Sequence, residues 1–210
     1  MFSIIQAAGW PIWPLIACSI LALALVIERF LSLKTDKVAP PHLLDEALSA
    51  SRTTLPAPEV VEQLERNSAL GEVLASGFRA LQANPHSSEE DLRAAMESSG
   101  RQVAHRLERY LNALATIASA APLMGLFGTV VGMIEIFGSQ SPTGGATGGN
   151  PALLAHGISV ALYNTAFGLV IAIPSLFFWR YFRARVDDYL LTLEVSAERL
   201  LRHITALTKA

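Results

Sequence analysis

Residues 110–137 read YLNALATIASAAPLMGLFGTVVGMIEIF: from Tyr110 to Phe137 there is no lysine or arginine and a single carboxylate, Glu135. A bilayer core of about 30 Å takes roughly 20 helical residues to cross, and this stretch is long and apolar enough to do so. The same requirement is met by Trp10 to Leu33 and by Ala152 to Phe182. Composition agrees, since 51% of the 210 residues are hydrophobic and 16% are charged, whereas an ordinary soluble domain is about 25% charged. The first stretch has no Lys or Arg ahead of its apolar run and no small-residue cleavage site before Glu28-Arg29, so it reads as a retained span rather than a cleaved signal.

Every Lys and Arg lies either between Arg29 and Arg109 or from Arg180 onward. Cationic segments stay on the cytoplasmic side of a membrane, so the pattern places the N-terminus outside and the C-terminus inside. The expected fold class is an all-α membrane protein of three transmembrane helices, two of them extended into a helical cytoplasmic domain. The expected organisation is an N-terminus and first span over 1–33, a cytoplasmic helical domain over 34–109 and a second span over 110–138. A Gly-rich periplasmic loop over 139–151, a third span over 152–182 and a cytoplasmic helical tail over 183–210 complete it. Trp10, Trp13 and Trp179 fall where an aromatic belt would sit at the two membrane faces. A net charge of −2 gives no ground for nucleic-acid binding. The single cysteine, Cys18, lies inside the first span and reads as a small apolar group.

Between Pro40-Pro41, Pro56-Ala57-Pro58 and Pro85, the runs Leu43 to Ala50, Glu59 to Glu65 and Leu70 to Leu81 carry helical periodicity. Ser87-Ser88-Glu89-Glu90 reads as a capping box with Ser87 as the cap and Glu90 reaching back. With no further proline until Pro122, one helix of roughly 75 Å is expected from here to about Gly138. Beyond Arg180, Leu190, Leu193, Ala197, Leu200 and Leu201 form one stripe, which continues the third span as a second long helix. The sequence from Ser141 to Asn150 has the composition of an exposed flexible loop.

Small residues recur in the second span at Ala118, Ala121, Gly125, Gly128 and Gly132, and in the third at Ala161, Gly168 and Ala172. Lipid offers no hydrophobic drive for helix association, so helices pack where small residues let backbones approach. A threonine adjoins each seam, Thr129 and Thr165; from chemistry alone each can bond the carbonyl four residues back in its own helix. Pro174 is expected to kink the third span, and His156 reads as a surface or capping group. No nucleophile elbow, His-Glu-x-x-His pair or phosphate-binding loop is present, so the chain does not read as an enzyme, and no cofactor or metal is expected.

The ordered stretch Ala121-Pro122-Leu123-Met124-Gly125-Leu126-Phe127-Gly128-Thr129-Val130-Val131-Gly132 resembles the second transmembrane helix of the ExbB/TolQ/MotA proton-channel family. The stretch from Gly157 through Ala161, Tyr163, Asn164 and Thr165 to Ala172-Ile173-Pro174 resembles the third. Three spans fit the ExbB/TolQ branch, and ExbB in particular. The resemblance implies a homo-pentamer in the bacterial inner membrane, with the second and third helices around a pore. In the pore it implies single helices of an ExbD- or TolR-like partner, each with an essential aspartate, and beyond it a TonB-like protein energised by the proton motive force. It also implies that Thr129 and Thr165 are the pore threonines facing that aspartate.

One position departs from the family pattern: a glutamate common on the third helix is replaced by Val160. Glu135 is the only acid between Glu108 and Asp187 and is expected near the depth of Val160. Two readings of it stand, a periplasmic-side proton uptake group and an interfacial carboxylate reaching water. For the whole chain, a TolQ-like role in envelope maintenance and a non-conducting scaffold stand as alternatives to energising TonB-dependent transport.

Overall fold

The computed structural model describes residues 9–51, 55–138 and 151–208, apart from the side chains of 151–154, 156, 160, 207 and 208. The loop from Ser141 to Asn150, and the side chains of His156 and Val160, lie outside the described residues. Among the described residues every regular element is helical. In chain order they are α1 (Ile12–Ser32), α2 (Thr35–Val38), α3 (Leu43–Ala50), α4 (Pro58–Asn67), α5 (Ala69–Ala83), α6 (Glu89–Glu108), α7 (Leu111–Gly138) and α8 (Pro151–Thr208). Three helices are long and apolar enough to cross a membrane, and they carry the three stretches read from the sequence.

The chain divides into two compact units, one of Met1–Glu28 and Leu111–Arg180, the other of Arg29–Tyr110 and Tyr181–Ala210. In the first unit, α7 buries Leu114, Ala118, Ala121, Gly125 and Gly128, a step of four or three residues that brings one narrow strip of helix to the inside. Leu15 of α1, Ala121 of α7 and Ala172 of α8 meet in a small core flanked by Met124 and Ile171. Only 22% of the apolar window in each of the first two spans is buried, so most of this hydrophobic surface faces outward. Water would penalise such a surface heavily; lipid or other apolar chains would not.

The second unit is built around a hydrophobic core drawn from three helices. From α5 come Leu70, Val73, Leu74, Phe78 and Leu81; from α6, Leu92, Met96, Val103 and Leu107; from α8, Val186, Tyr189, Leu193, Leu200 and Leu201. The stripe read from the sequence is thus the buried face of α8, with Leu190 and Ala197 half-buried at its margins. Ser68 caps α5 by accepting from the Gly71 amide at 3.1 Å. Two ion pairs, Arg93 with Glu198 and Arg183 with Glu108, both 3.0 Å, hold α6 and α8 antiparallel in one register. Exposed pairs of this kind add at most about 1 kcal/mol each, so they set alignment more than stability.

The structure corrects two expectations. The single helix expected from residue 89 to about Gly138 is divided by a turn at Arg109-Tyr110. There the Arg109 amide bonds the Arg106 carbonyl, a tightened 3₁₀ step. Arg29, almost fully buried, donates from Nη1 to the Leu107 carbonyl at 2.9 Å and lies 5.0 Å from the centre of the Tyr110 ring. Helix ends leave carbonyls without intrahelical partners, and Arg29 serves one of them. The capping box is real but one residue later than expected: Ser88 is the cap and Asp91 reaches back. Ser87 instead donates to the Asn84 carbonyl at 2.8 Å, which removes it from the capping position.

Candidate functional site: a threonine pair on a glycine seam

The seam between α7 and the apolar part of α8 is built from glycines whose neighbours leave little or no room for a side chain. A Cβ at Gly125 would stand 2.7 Å from the Asn164 carbonyl oxygen, and one at Gly168 would stand 2.6 Å from the Ala121 carbonyl oxygen. At Gly128 it would meet the Asn164 side chain at 2.8 Å, and at Gly132 the Ala161 methyl at 3.1 Å. The order of these contacts, Ala121 with Gly168 through Gly132 with Ala161, makes the two helices antiparallel neighbours. The small residues therefore bring together two helices of the same chain.

This close approach sets the two hydroxyls against each other. Thr129 Oγ1 and Thr165 Oγ1 are 2.5 Å apart, at the short end of the range for O–H···O bonds. The Gly125 carbonyl lies 3.2 Å from each, and the Ala161 carbonyl 3.2 Å from Thr129. Two hydroxyls have only two protons to distribute among these contacts. Either Thr165 donates to Thr129, which then donates to a carbonyl, or Thr129 donates to Thr165, which donates to Gly125. Both arrangements satisfy both donors, and they differ only in the direction of the chain. The pair is half-buried, and each oxygen keeps a lone pair. Such a pair can donate to an ionised carboxylate or accept from a neutral carboxyl without leaving a buried group unmet in its absence. The simple back-bond of each threonine to its own helix is present only for Thr129.

Asn164 is a site residue that the sequence reading passed over. It is 1% exposed and packs against Gly128 immediately before Thr165. An amide within an apolar span was the available signal, because buried polar side chains inside membranes are costly unless they are engaged. Glu135 follows Gly128 by seven residues and so shares its face of α7, but at the end of the helix it is exposed. With Ile136 against Gly157 and Gly132 against Ala161, Glu135 stands only about half a helical turn nearer the 139–150 connection than position 160 does, close to the depth expected for it. Pro174 is inside α8 and exposed, and it removes the amide that would otherwise pair with the Val170 carbonyl. No group of three or more His, Cys, Asp or Glu side chains able to hold a metal occurs among the described residues.

Three helices long and apolar enough to cross a membrane, two of them joined by a glycine seam that carries paired hydroxyls, define a class of membrane protein with a polar site among its apolar helices. A family model described as the MotA/TolQ/ExbB proton channel family matches residues 65–195. The biopolymer transport protein exbB1 of Vibrio cholerae is 34% identical over 81% of this chain and 74% of its own length. An ExbB-like 3 putative biopolymer transport protein of Synechocystis is 32% identical over 85% of this chain and 83% of its own length. The Tol-Pal system protein TolQ of Haemophilus influenzae is 35% identical over 52% of this chain and 48% of its own. The chain belongs to the MotA/TolQ/ExbB family of membrane proton channels.

Proposed function

We propose that this chain is the channel-forming subunit of an inner-membrane motor that uses the proton motive force to energise TonB-dependent outer-membrane transport. The observation that carries the proposal is the half-buried Thr129–Thr165 pair, whose hydrogen-bond chain can run in either direction. A carboxyl group inside a membrane changes its protonation at reasonable cost only where polar neighbours support both forms. The threonine pair offers such support to an aspartate on a partner helix resembling that of ExbD or TolR. Five copies of this chain would surround the partner, with N-termini outside and C-termini in the cytoplasm. Gly125, Gly128, Gly132 and Gly168 would act as packing residues that hold the pair in place, and Pro174 would locally open the backbone of α8. Glu135 is proposed as the group that takes up protons from the periplasmic side, about half a turn from the position held by Val160. The TonB reading is preferred to the Tol reading because ExbB-named relatives cover 81% and 85% of the chain, and the TolQ relative 52%.

The experiment is Thr165→Val in a strain that depends on this chain for energised uptake, with Thr165→Ser and Glu135→Gln beside it. Valine keeps the shape of threonine, and Thr129 retains its carbonyl acceptors, so assembly with the partner should persist. A lost hydrogen bond to an ionised group is worth about 1.5–3 kcal/mol, so uptake should fall roughly tenfold or more and serine should restore most of it. Wild-type uptake by an assembled Thr165→Val complex would refute the relay, and wild-type uptake by Glu135→Gln would leave that carboxylate interfacial.

A further inference from the structure

The second unit carries a half-open cavity of about 400 Å³ lined by the last turn of α1, the residues that follow it, and the turn of α8 where apolar sequence gives way to charged. Three cations, Arg29, Lys34 and Arg185, line it together with one carboxylate, Asp36. Tyr189 fixes the geometry from beside it. Its hydroxyl donates to the Leu33 carbonyl at 3.0 Å, so it accepts from Arg185 Nη2 at 3.1 Å and from Thr35 at 3.2 Å. Elsewhere in this unit Arg93, Arg106 and Arg183 each hold a carboxylate. Lys34 and Arg185 hold none among the described residues. The other wall is aromatic: Phe30 stacks edge-on against Phe182 at 4.9 Å, while Phe30 and Tyr181 keep an exposed side.

A ligand for this cavity must be anionic at one end and apolar at the other, and must occur where a membrane span ends. Guanidinium and ammonium groups suit a phosphate oxygen, and aromatic faces suit glycerol and the first methylenes of acyl chains. A zwitterionic headgroup would bring its own cation toward a cavity already in excess of positive charge. We propose that this cavity binds the phosphodiester headgroup of an anionic phospholipid of the phosphatidylglycerol type. Arg185 and Lys34 meet the phosphate, Arg29 adds fixed positive charge behind them, and Phe30 and Tyr181 receive the lipid body. The proposal rests on membrane insertion and not on proton conduction.

The test uses the purified full-length assembly in nanodiscs containing equal phosphatidylglycerol and phosphatidylcholine, with retained lipid counted by native mass spectrometry after delipidation. The wild type should retain phosphatidylglycerol in preference, and Lys34→Gln/Arg185→Gln should lower that retention roughly tenfold. A control pair, Arg66→Gln/Arg101→Gln, changes exposed cations on the same unit and should retain the lipid like wild type. Equal retention by the cavity variant, or equal loss by the control, would overturn the site. Should the double variant not assemble, Lys34→Gln alone changes only an exposed side chain and should show a several-fold loss; unchanged retention would again overturn the site. Inorganic phosphate at the same concentration as the lipid should not displace it, and displacement would assign the cavity to free phosphate instead.

Discussion

A methyl group added at Gly168 or Gly125 would fall within 2.7 Å of a backbone carbonyl oxygen on the facing helix, and backbone atoms cannot yield without moving that helix. At Gly138, on the same helix as Gly125, nothing lies within 4 Å of the position a Cβ would take. Gly168→Ala should therefore push α7 and α8 apart and separate the threonine hydroxyls, costing about 1–3 kcal/mol as overpacked cores do, whereas Gly138→Ala should be neutral. Thermal unfolding in detergent, followed by circular dichroism, measures the contrast; a Gly168→Ala protein as stable as Gly138→Ala would mean that the seam can spread without loss. The seam and both threonines were legible in the sequence because small residues and hydroxyls stand out against a run of leucine and valine. Their pairing was not, because a 2.5 Å contact between residues 129 and 165 depends on how two helices are aligned, and spacing within one helix carries no such information. Asn164 was missed for a related reason: its neighbour Gly128 lies on another helix.

At the scale of elements, the start of α6 shows how small a shift escapes a motif. Two serines in succession, Ser87 and Ser88, are each followed three residues on by an acid, Glu90 or Asp91, so both frames satisfy the capping pattern. The structure takes the second frame because the Ser87 hydroxyl is already bonded to the turn at Asn84. Asp91 accepts from the Ser88 hydroxyl and amide, and these two bonds hold its carboxyl below the ordinary value of 3.8. A group whose value is depressed on folding lends stability that is complete above its unfolded value and is lost as pH falls through the folded one. The first turn of α6 should hence stay closed at neutral pH and fray as pH drops through and below 3.8. Asp91→Ala should show that fraying already at neutral pH. Hydrogen exchange at residues 89–92 is the readout, and protection in Asp91→Ala equal to wild type would show that the box contributes nothing. The longer cytoplasmic helices were otherwise plain from periodicity and proline breaks, down to the bounds of α3, whereas the single turn of α2, Thr35–Val38, is too short to show a period and was not read. The turn at Arg109-Tyr110 was hidden because no proline or glycine marks it, and what stabilises it, Arg29, comes from about eighty residues earlier in the chain.

At the scale of the whole molecule, sequence speaks through charge rather than contact. Lys and Arg are confined to 29–109 and to the chain from Arg180 onward, with none before Arg29 or between Arg109 and Arg180. Carrying a cation into the middle of a membrane helix costs about 2.5–3.5 kcal/mol per residue on insertion scales, so the two cationic blocks should remain on the side of synthesis. If all three apolar helices cross, the 139–150 connection should then lie on the opposite face. A direct measurement uses Ser141→Cys and Ser87→Cys, each in a Cys18→Ser background so that the protein holds one thiol. A membrane-impermeant maleimide applied to intact spheroplasts should label the first and spare the second, and lysis should expose both. The reverse pattern would place the cationic unit outside, where neither a cytoplasmic helical domain nor a periplasmic Glu135 is possible, and the proposed direction of proton flow would lose its basis. Labelling of both in intact spheroplasts would mean fewer than three crossings, which the three long apolar helices, mostly uncovered within one chain, make the hardest outcome to reconcile with their surfaces.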